Sequence, residues 1–310
     1  MSDLNTILTQ QPFLLIDGGM GQELIRRGVS DKSALWSAQA LIDDPSLVLD
    51  VHRDYVTAGA DLLITNTYST NGNRLREMEL GDQVEPMNRM AGVLAQQAAS
   101  EADRPVLVAG SLPPLNGSYR PEETLPYEEM VELYREMVGH LTPYVDLYLC
   151  ETMSTADEGR AAAEAATESG KATWVSWTLR DDDSARLRSG ERIIDAVQTL
   201  GDLPVEAMLF NCSFPEAMTA AMPALASLDE RRGRHFGAYA NGFTEIPEDW
   251  TLWDGVANLE ARRDLDPAAY CQQAQRWYEA GARLIGGCCE VGPDHIAALA
   301  AWRESLKVAA

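Results

Sequence analysis

Cationic side chains are scarce in this sequence: 25 Lys and Arg stand against 48 Asp and Glu, a formal charge of −23 at pH 7. Such a field repels phosphate backbones and anionic lipid surfaces, so neither nucleic acid nor a membrane is an expected partner. The acidity reads as a solubility device, and Asp181, Asp182 and Asp183 as a solvated loop rather than a metal cage. Long apolar runs are also missing, none approaching the roughly 18 to 20 residues of a membrane-spanning helix. The N-terminal MSDLNTILTQQPFLLIDGG has no basic segment ahead of its apolar stretch, so no secretory signal is expected and the cytoplasm is the expected compartment. Five cysteines in 310 residues are too few, and odd in number, for a disulfide framework. Reduced thiols or metal ligands are the better expectation. His52, His140, His235 and His295 form no H-x-x-x-H pair and read as ordinary helix or strand residues. GGMG at 18 to 21 lacks the G-x-G-x-x-G spacing of a dinucleotide site and reads as a tight turn.

What the chain does contain is a short apolar run that recurs eight times: FLLIDGG, DLLITNTY, PVLVAGSL, DLYLCETM, ATWVSWTL, EAMLFNCS, HFGAYANG and ARLIGGCC. Their near-continuous apolar character suits strands buried on both faces of a parallel sheet. Helix signals lie between them. Asp44-Pro45 supplies an N-cap and a first-turn proline, Leu47, Val48, Val51 and Tyr55 share one face, and Gly59 can close the helix. Asp266-Pro267 and Gly281 repeat the device, and Ser213 with Glu216 forms the S-x-x-E pattern of a capping box. Eight strands alternating with helices predict a single α/β domain over residues 1–310, a (β/α)8 TIM barrel rather than a doubly wound open sheet. The irregular segment 240–266 reads as an insertion between the seventh strand and its helix.

IGGCCEVGPDHI at 285 to 296 sets Cys288 and Cys289 side by side at the end of the eighth run, and Cys212 ends the sixth. The C-terminal strand ends of a barrel converge on the face where active sites are built, so three thiols distant in sequence can meet there. Adjacent cysteines rarely bond to each other, because the ring is strained. Three thiolates suit zinc, and three ligands with an open corner are the catalytic arrangement; a closed structural site usually comes with paired C-x-x-C knuckles, absent here. Adjacent ligands demand backbone freedom, expected from Gly286 and Gly287. Cys150, within the fourth strand, and Cys271, in an amphipathic helix outside the barrel, read as small buried hydrophobes.

Through DGGMGQEL (17–24), LWSAQAL (35–41), VHRDYVTAGADLLITNTY (51–68), CETM (150–153), FNCS (210–213) and IGGCCEVGPDHI, the sequence resembles the homocysteine S-methyltransferase family nearly end to end. That family comprises zinc-dependent barrels sharing the homocysteine-binding domain of betaine-homocysteine methyltransferases, S-methylmethionine-dependent enzymes and the first module of cobalamin-dependent methionine synthase. The resemblance implies Zn2+ on Cys212, Cys288 and Cys289, with homocysteine's thiol filling the open corner and attacking a methyl group to give methionine. It puts Asp17, Gly18, Thr65 and Glu151 at homocysteine's amino and carboxylate ends, and Glu151 with the three cysteines among the catalytic residues. Asn241 stands where some members use a provisional zinc ligand before substrate arrives. Trp36 stands near the methyl donor, where a cation–π contact would suit a sulfonium or ammonium. Trp177, Trp250 and Trp253 are further aromatic candidates.

Two stretches depart from the family pattern, GSLPPLNGSYRPE (110–122) where relatives read GSVGPYG-like sequence and YANGFTE (239–245) where they read YPNSGE. Both are expected on the catalytic face and bear on the donor. S-methylmethionine is the first expectation, since stand-alone family enzymes of this length often use it. S-adenosylmethionine, the quaternary ammonium betaine, and another small thetin or sulfonium stay open. With residues 290–310 following the thiol pair, no folate, cobalamin or reactivation module is expected, and the sequence carries no signal of oligomeric state. Two rival readings are a barrel enzyme with another thiol acceptor or a phosphate-bearing substrate, and a non-catalytic zinc or redox thiol protein.

Overall fold

A computed structural model describes residues 4–228, 234–247 and 250–308. Eight parallel strands form one sheet: β1 Leu14–Leu15, β2 Leu62–Ile64, β3 Leu107–Leu112, β4 Leu147–Met153, β5 Ala172–Trp177, β6 Ala207–Asn211, β7 His235–Ala240 and β8 Leu284–Gly287. Each lies inside one of the eight apolar runs. Neighbours in the sheet run β1-β8-β7-β6-β5-β4-β3-β2, and a parallel bridge from Ile16 to Leu62 brings the two ends together. The sheet is a (β/α)8 TIM barrel.

Period-two alternation splits each strand between two cores. Leu14, Ile16, Leu62, Leu107, Leu147, Leu149, Trp174 and Leu209 pack with one another inside the barrel. Their chain neighbours Phe13, Leu15, Leu63, Val108, Tyr148, Val175 and Phe210 face the helices instead. Because both faces are dry, the runs carry almost no polar residues until their C-terminal ends. The helix α1 (Leu4–Gln10) sends Leu4 and Ile7 into the inner cluster at the N-terminal mouth, so the opposite mouth is the one left for a ligand.

The local helix signals hold in two of three places. Asp44 accepts from the Ser46 N–H at 3.1 Å to start α4 (Pro45–Ala58), which ends at Gly59 in the left-handed conformation, φ 106°. Asp266 likewise accepts from Ala269 N at 2.8 Å to start α11 (Pro267–Glu279), and Gly281 follows at φ 105°. Ser213 does not cap α10 (Pro215–Ala226). Its hydroxyl turns toward β5, accepting from Leu179 N at 2.7 Å and pairing with Thr178 Oγ1 at 3.0 Å. Asp181 takes the Phe214 N–H at 2.8 Å and pairs with Arg188 at 2.9 Å. Asp181 is therefore largely buried, against expectation, while Asp182 and Asp183 are exposed.

Cys150 is fully buried in β4 and Cys271 lies in α11, neither near the strand-end thiols. The β7–α11 insertion folds back over the C-terminal mouth, tied by Phe243 bridging Ala261 and by Val256 N donating to Asp31 O at 3.0 Å. Among the described residues no helix is long and apolar enough to cross a membrane.

His52, on the buried side of α4, has both ring nitrogens without a hydrogen-bond partner, and burial lowers its pKa to about 3. Below about 6.5 an unfolded chain takes up a proton that the folded chain refuses, so stability falls as pH drops through that window, by up to about 1.4 kcal/mol per pH unit. Between pH 7 and pH 5, His52→Leu is expected to lose roughly 2 kcal/mol less stability than the parent, read from urea midpoints. Parallel losses in the two proteins would separate His52 from acid sensitivity.

Candidate active site and metal centre

Cys212 directly follows β6, and Cys288 and Cys289 directly follow β8. Their sulfurs meet at the C-terminal mouth: Cys212 Sγ lies 2.8 Å from Cys288 Sγ and 4.0 Å from Cys289 Sγ, and all three fall within 4.8 Å of one another. Thiolates bound about 2.3 Å from a tetrahedral zinc stand about 3.8 Å apart, close to the Cys212–Cys289 spacing, and Cys288 would move about 1 Å away from Cys212 to become the third ligand of the same ion. The hydrogen bonds from Cys288 and then Cys289, joined by the Tyr119 phenol at 3.0 Å, hold the Cys212 thiol well below its ordinary pKa. Cys288 and Cys289, as the donors, are pushed up.

The backbone freedom does not come from Gly286 and Gly287. Neither has a left-handed backbone; the strained conformations belong to Cys212 (φ 52°) and Glu290 (φ 63°). The two glycines serve close packing instead. A Cβ on Gly286 would sit 2.5 Å from Ile16 Cβ, and one on Gly287 2.1 Å from Val291 Cγ1. Gly18 and Gly19 press on the same loop from the β1 side, where added Cβ atoms would meet Val291 O at 2.1 Å and Cys288 O at 2.7 Å. Only hydrogen fits at this seam, and Gly19 N donates across it to Val291 O at 3.0 Å.

Glu151 and Asp17 lie at the ends of β4 and β1. Glu151 accepts from the Ser111 hydroxyl and, at 3.2 Å, from Tyr239 OH; burial raises its pKa to about 7. Asp17 Oδ2 accepts from Ile64 N at 2.9 Å, while its Oδ1 is buried with no partner. Burial also raises Asp17, with repulsion from Glu151 adding to it. Thr65 Oγ1 accepts from Ser111 N at 3.0 Å and bonds Thr67 Oγ1 at 2.9 Å. Gly18, Trp36, Thr65, Glu151 and the three cysteines line one cavity of about 780 Å³ counted out to its open mouth; Asp17 and Asn241 are not among its lining residues. Among the described residues no Lys, Arg or His lines it, so the buried Glu151 carboxylate has no cationic partner on that wall.

Asn241 is fully buried with both amide atoms unpartnered. Its neighbours are fastened to the thiol pair, Cys288 N donating to Ala240 O at 2.9 Å and Gly242 N to Cys289 O at 2.8 Å. A buried amide with free oxygen and nitrogen beside three thiols fits a metal centre.

The outer wall is aromatic and apolar. Trp36 meets Tyr68 edge-on at 5.6 Å, and Tyr119 lies 5.9 Å from Trp250. Phe243, Leu252, Val256 and Leu259 complete it; the two stretches that depart from the family pattern contribute Ser118 and Tyr119 from one and Tyr239 and Phe243 from the other, and the rest of the β7–α11 insertion adds Trp250. Of the further tryptophans only Trp250 belongs here. Trp177 faces outward onto Gly159 of α8 (Ala156–Glu168), and Trp253 is 45% exposed with Arg74 over its ring. Tyr68, Tyr119, Tyr239 and Phe243 were not legible as site residues, because nothing local marks an aromatic at a strand end or in a loop as inward-facing.

Single replacement of Cys212, Cys288 or Cys289 by Ala is expected to drop zinc after stripping and reloading from one per chain to a small fraction, by elemental analysis, with the far-ultraviolet circular dichroism retained. Undiminished zinc in any variant removes that cysteine from the ligand set.

The sequence model of the homocysteine S-methyltransferase family matches residues 14–302. A homocysteine S-methyltransferase of Escherichia coli (strain K12) is 34% identical over 96% of this chain and 97% of its own. Homocysteine S-methyltransferase YbgG of Bacillus subtilis (strain 168) is 28% identical over 99% of each chain. The crystal structure of the homocysteine methyltransferase MmuM from Escherichia coli, in its metallated form, is similar with a TM-score of 0.81 and 32% identity, covering 96% of this chain and 99% of that one. With the match running from the first strand into the last helix, the chain belongs to the homocysteine S-methyltransferase family.

Proposed function

We propose that residues 1–310 act as one homocysteine-binding domain, a cytoplasmic, zinc-dependent enzyme that methylates homocysteine with S-methylmethionine as donor. The observation that carries this reading is the juxtaposition, in one cavity, of three thiols, a buried carboxylate and an aromatic wall without cations.

Cys212, Cys288 and Cys289 would hold the zinc, with Asn241 as a provisional partner before substrate binds. When bound, zinc supplies Lewis acidity that keeps a thiol ionised near neutral pH, where a free thiol of pKa about 8.5 is mostly protonated. Glu151 and Asp17 would receive homocysteine's ammonium, and Gly18 and Thr65 would border its carboxylate end. Burial raises the pKa of both carboxyl groups, and an incoming ammonium favours their ionised forms.

In the transfer, the homocysteine sulfur forms a bond to the donor's methyl carbon as the methyl–sulfonium bond breaks. The electron pair of that bond stays on the donor sulfur, which leaves as a neutral thioether, and the acceptor's thiol proton goes to solvent. With S-methylmethionine both products are methionine. Trp36, Tyr68, Tyr119 and Trp250 present ring faces and edges to the mouth, and a sulfonium against such faces gains about 0.5 to 2 kcal/mol. A phosphate-bearing substrate finds no cationic side chain among the described residues of this wall.

The test is methionine formation by zinc-loaded, reduced protein with homocysteine and, in parallel, S-methylmethionine, S-adenosylmethionine, betaine and dimethylsulfoniopropionate. S-methylmethionine is expected to give the highest kcat/KM, and EDTA stripping to abolish it until zinc is restored. Preference for another donor refutes the donor assignment alone; turnover unaffected by stripping refutes the zinc. Gly21→Ala, whose Cβ would fall 2.5 Å from the Trp36 ring, is expected to raise the donor's KM several-fold with the zinc content unchanged. An unaltered donor KM would place the donor away from Trp36.

A further inference from the structure

We infer that Asn211 is a positioning residue for homocysteine: its side-chain amide braces the end of β4 so that Glu151 faces the acceptor's ammonium while Cys212, the next residue in the chain, faces the metal. The inference rests on the proposed roles of Glu151 and Cys212 and adds what sets their relation.

Asn211 is the last residue of β6 and is fully buried. Its side chain crosses in front of β5 to reach β4. Oδ1 accepts from Thr152 N at 2.8 Å and from Ser176 Oγ at 2.8 Å, and Nδ2 donates to Thr152 Oγ1 at 2.8 Å. One amide thus ties three successive strands together just beneath the cavity.

What it ties is irregular. The β4–β5 pairing runs from Leu147 opposite Ala172 to Cys150 opposite Val175, then resumes with Met153 opposite Trp177. Three residues of β4 are therefore matched to two of β5, a bulge with one residue extra. The bulge reverses the alternation. Leu147 and Leu149 point into the barrel, Tyr148 and Cys150 point out, and Met153, which regular alternation would turn inward, packs in the outer core. Glu151, inward by regular alternation, lines the cavity, and the bulge turns its neighbour Thr152 inward as well, where it meets Asn211.

This arrangement is costly without the brace. Thr152 has a φ of 61°, a left-handed conformation that a β-branched residue seldom adopts. Its N–H bonds to the Asn211 amide, so removing Asn211 leaves a buried donor unpaired in an already strained turn. The chain can relieve both by reshaping the turn at Thr152, which would pull its covalent neighbour Glu151 off its bonds to Ser111 and Tyr239. Cys212, itself at φ 52°, is the covalent neighbour of the brace, so one residue relates the ammonium site to a sulfur of the metal site.

The test compares homocysteine with 4-mercaptobutyrate, the same thiol acid without the amino group, as ligands of the cobalt-substituted protein, read by the sulfur-to-cobalt charge-transfer band. Asn211→Ala is expected to weaken homocysteine binding about tenfold or more, as loss of a charge-assisted hydrogen bond does, and 4-mercaptobutyrate less than twofold, with one metal per chain. Thr152→Val, which keeps the shape and removes the Oγ1 acceptor, is expected to act in the same direction more weakly, and Thr152→Ser to restore parental binding. Equal weakening of both ligands by Asn211→Ala and Thr152→Val, or of neither, overturns the brace while Glu151→Gln still discriminates between them. If Glu151→Gln itself does not discriminate, the ammonium assignment fails and the positioning role falls with it.

Discussion

Three sulfur atoms within 4.8 Å of one another in a buried place are the constraint on which the site depends. Two thiolates about 4 Å apart repel by roughly 4 kcal/mol at an effective dielectric of about 20, so three cannot ionise together unaided. The protein alone resolves this by asymmetry: Cys212 collects the hydrogen bonds and is eased toward the thiolate, and Cys288 and Cys289 keep their protons. A soft divalent cation inverts that order, making proximity favourable for all three sulfurs. The geometry that is awkward for thiols is the geometry a metal needs.

Holding the sulfurs there requires backbone that the sequence does not find comfortable. Seven non-glycine residues have positive φ among the described residues; Trp36, Tyr119 and Cys212 line the cavity, and Thr152 and Glu290 are chain neighbours of Glu151 and Cys289. Only Glu79 and Ala185 lie elsewhere, so the strain is concentrated where the chemistry is. Such conformations persist when their surroundings over-determine them. Here the surroundings are the glycine seam between β1 and the thiol loop, the Asn211 amide, and the backbone bonds from Ala240 and Gly242 to Cys288 and Cys289.

The fold was legible because it rests on rules that act locally or periodically. Strands dry on both faces must read as continuous apolar runs, and Asp44 and Asp266 cap their helices with residues two and three positions away. The thiols were legible as strand-end residues for the same reason. Ser213 shows where the local rule stops: its S-x-x-E pattern is intact, but the left-handed turn at Cys212 points its hydroxyl at Leu179 N, and tertiary demand overrides the cap. Asp181 was misread because the Arg188 that neutralises it and the Phe214 N–H that it accepts become partners only through the fold. The aromatic wall was hidden similarly. Trp177 and Trp250 look alike as residues, and only alternation along β5 against folding-back of the insertion decides which one sees the cavity.

Charge explains why one pocket can serve both halves of the proposed transfer. The described lining carries the Glu151 carboxylate, three thiols and no cation, and the molecule as a whole is strongly acidic, with a formal charge of −23. On the proposed reading a cationic donor would be drawn in by this field and held at the mouth by ring faces whose attraction depends on its charge. Methyl transfer abolishes that charge at the moment of reaction, because the sulfonium departs as a neutral thioether. On the acceptor side the attacking thiolate becomes a thioether too, and a neutral sulfur is a poorer partner for a metal than the thiolate it replaces. On the proposed reading each product would lose one interaction that held its precursor, the ring contact to the donor's charge and the metal contact to the acceptor's sulfur.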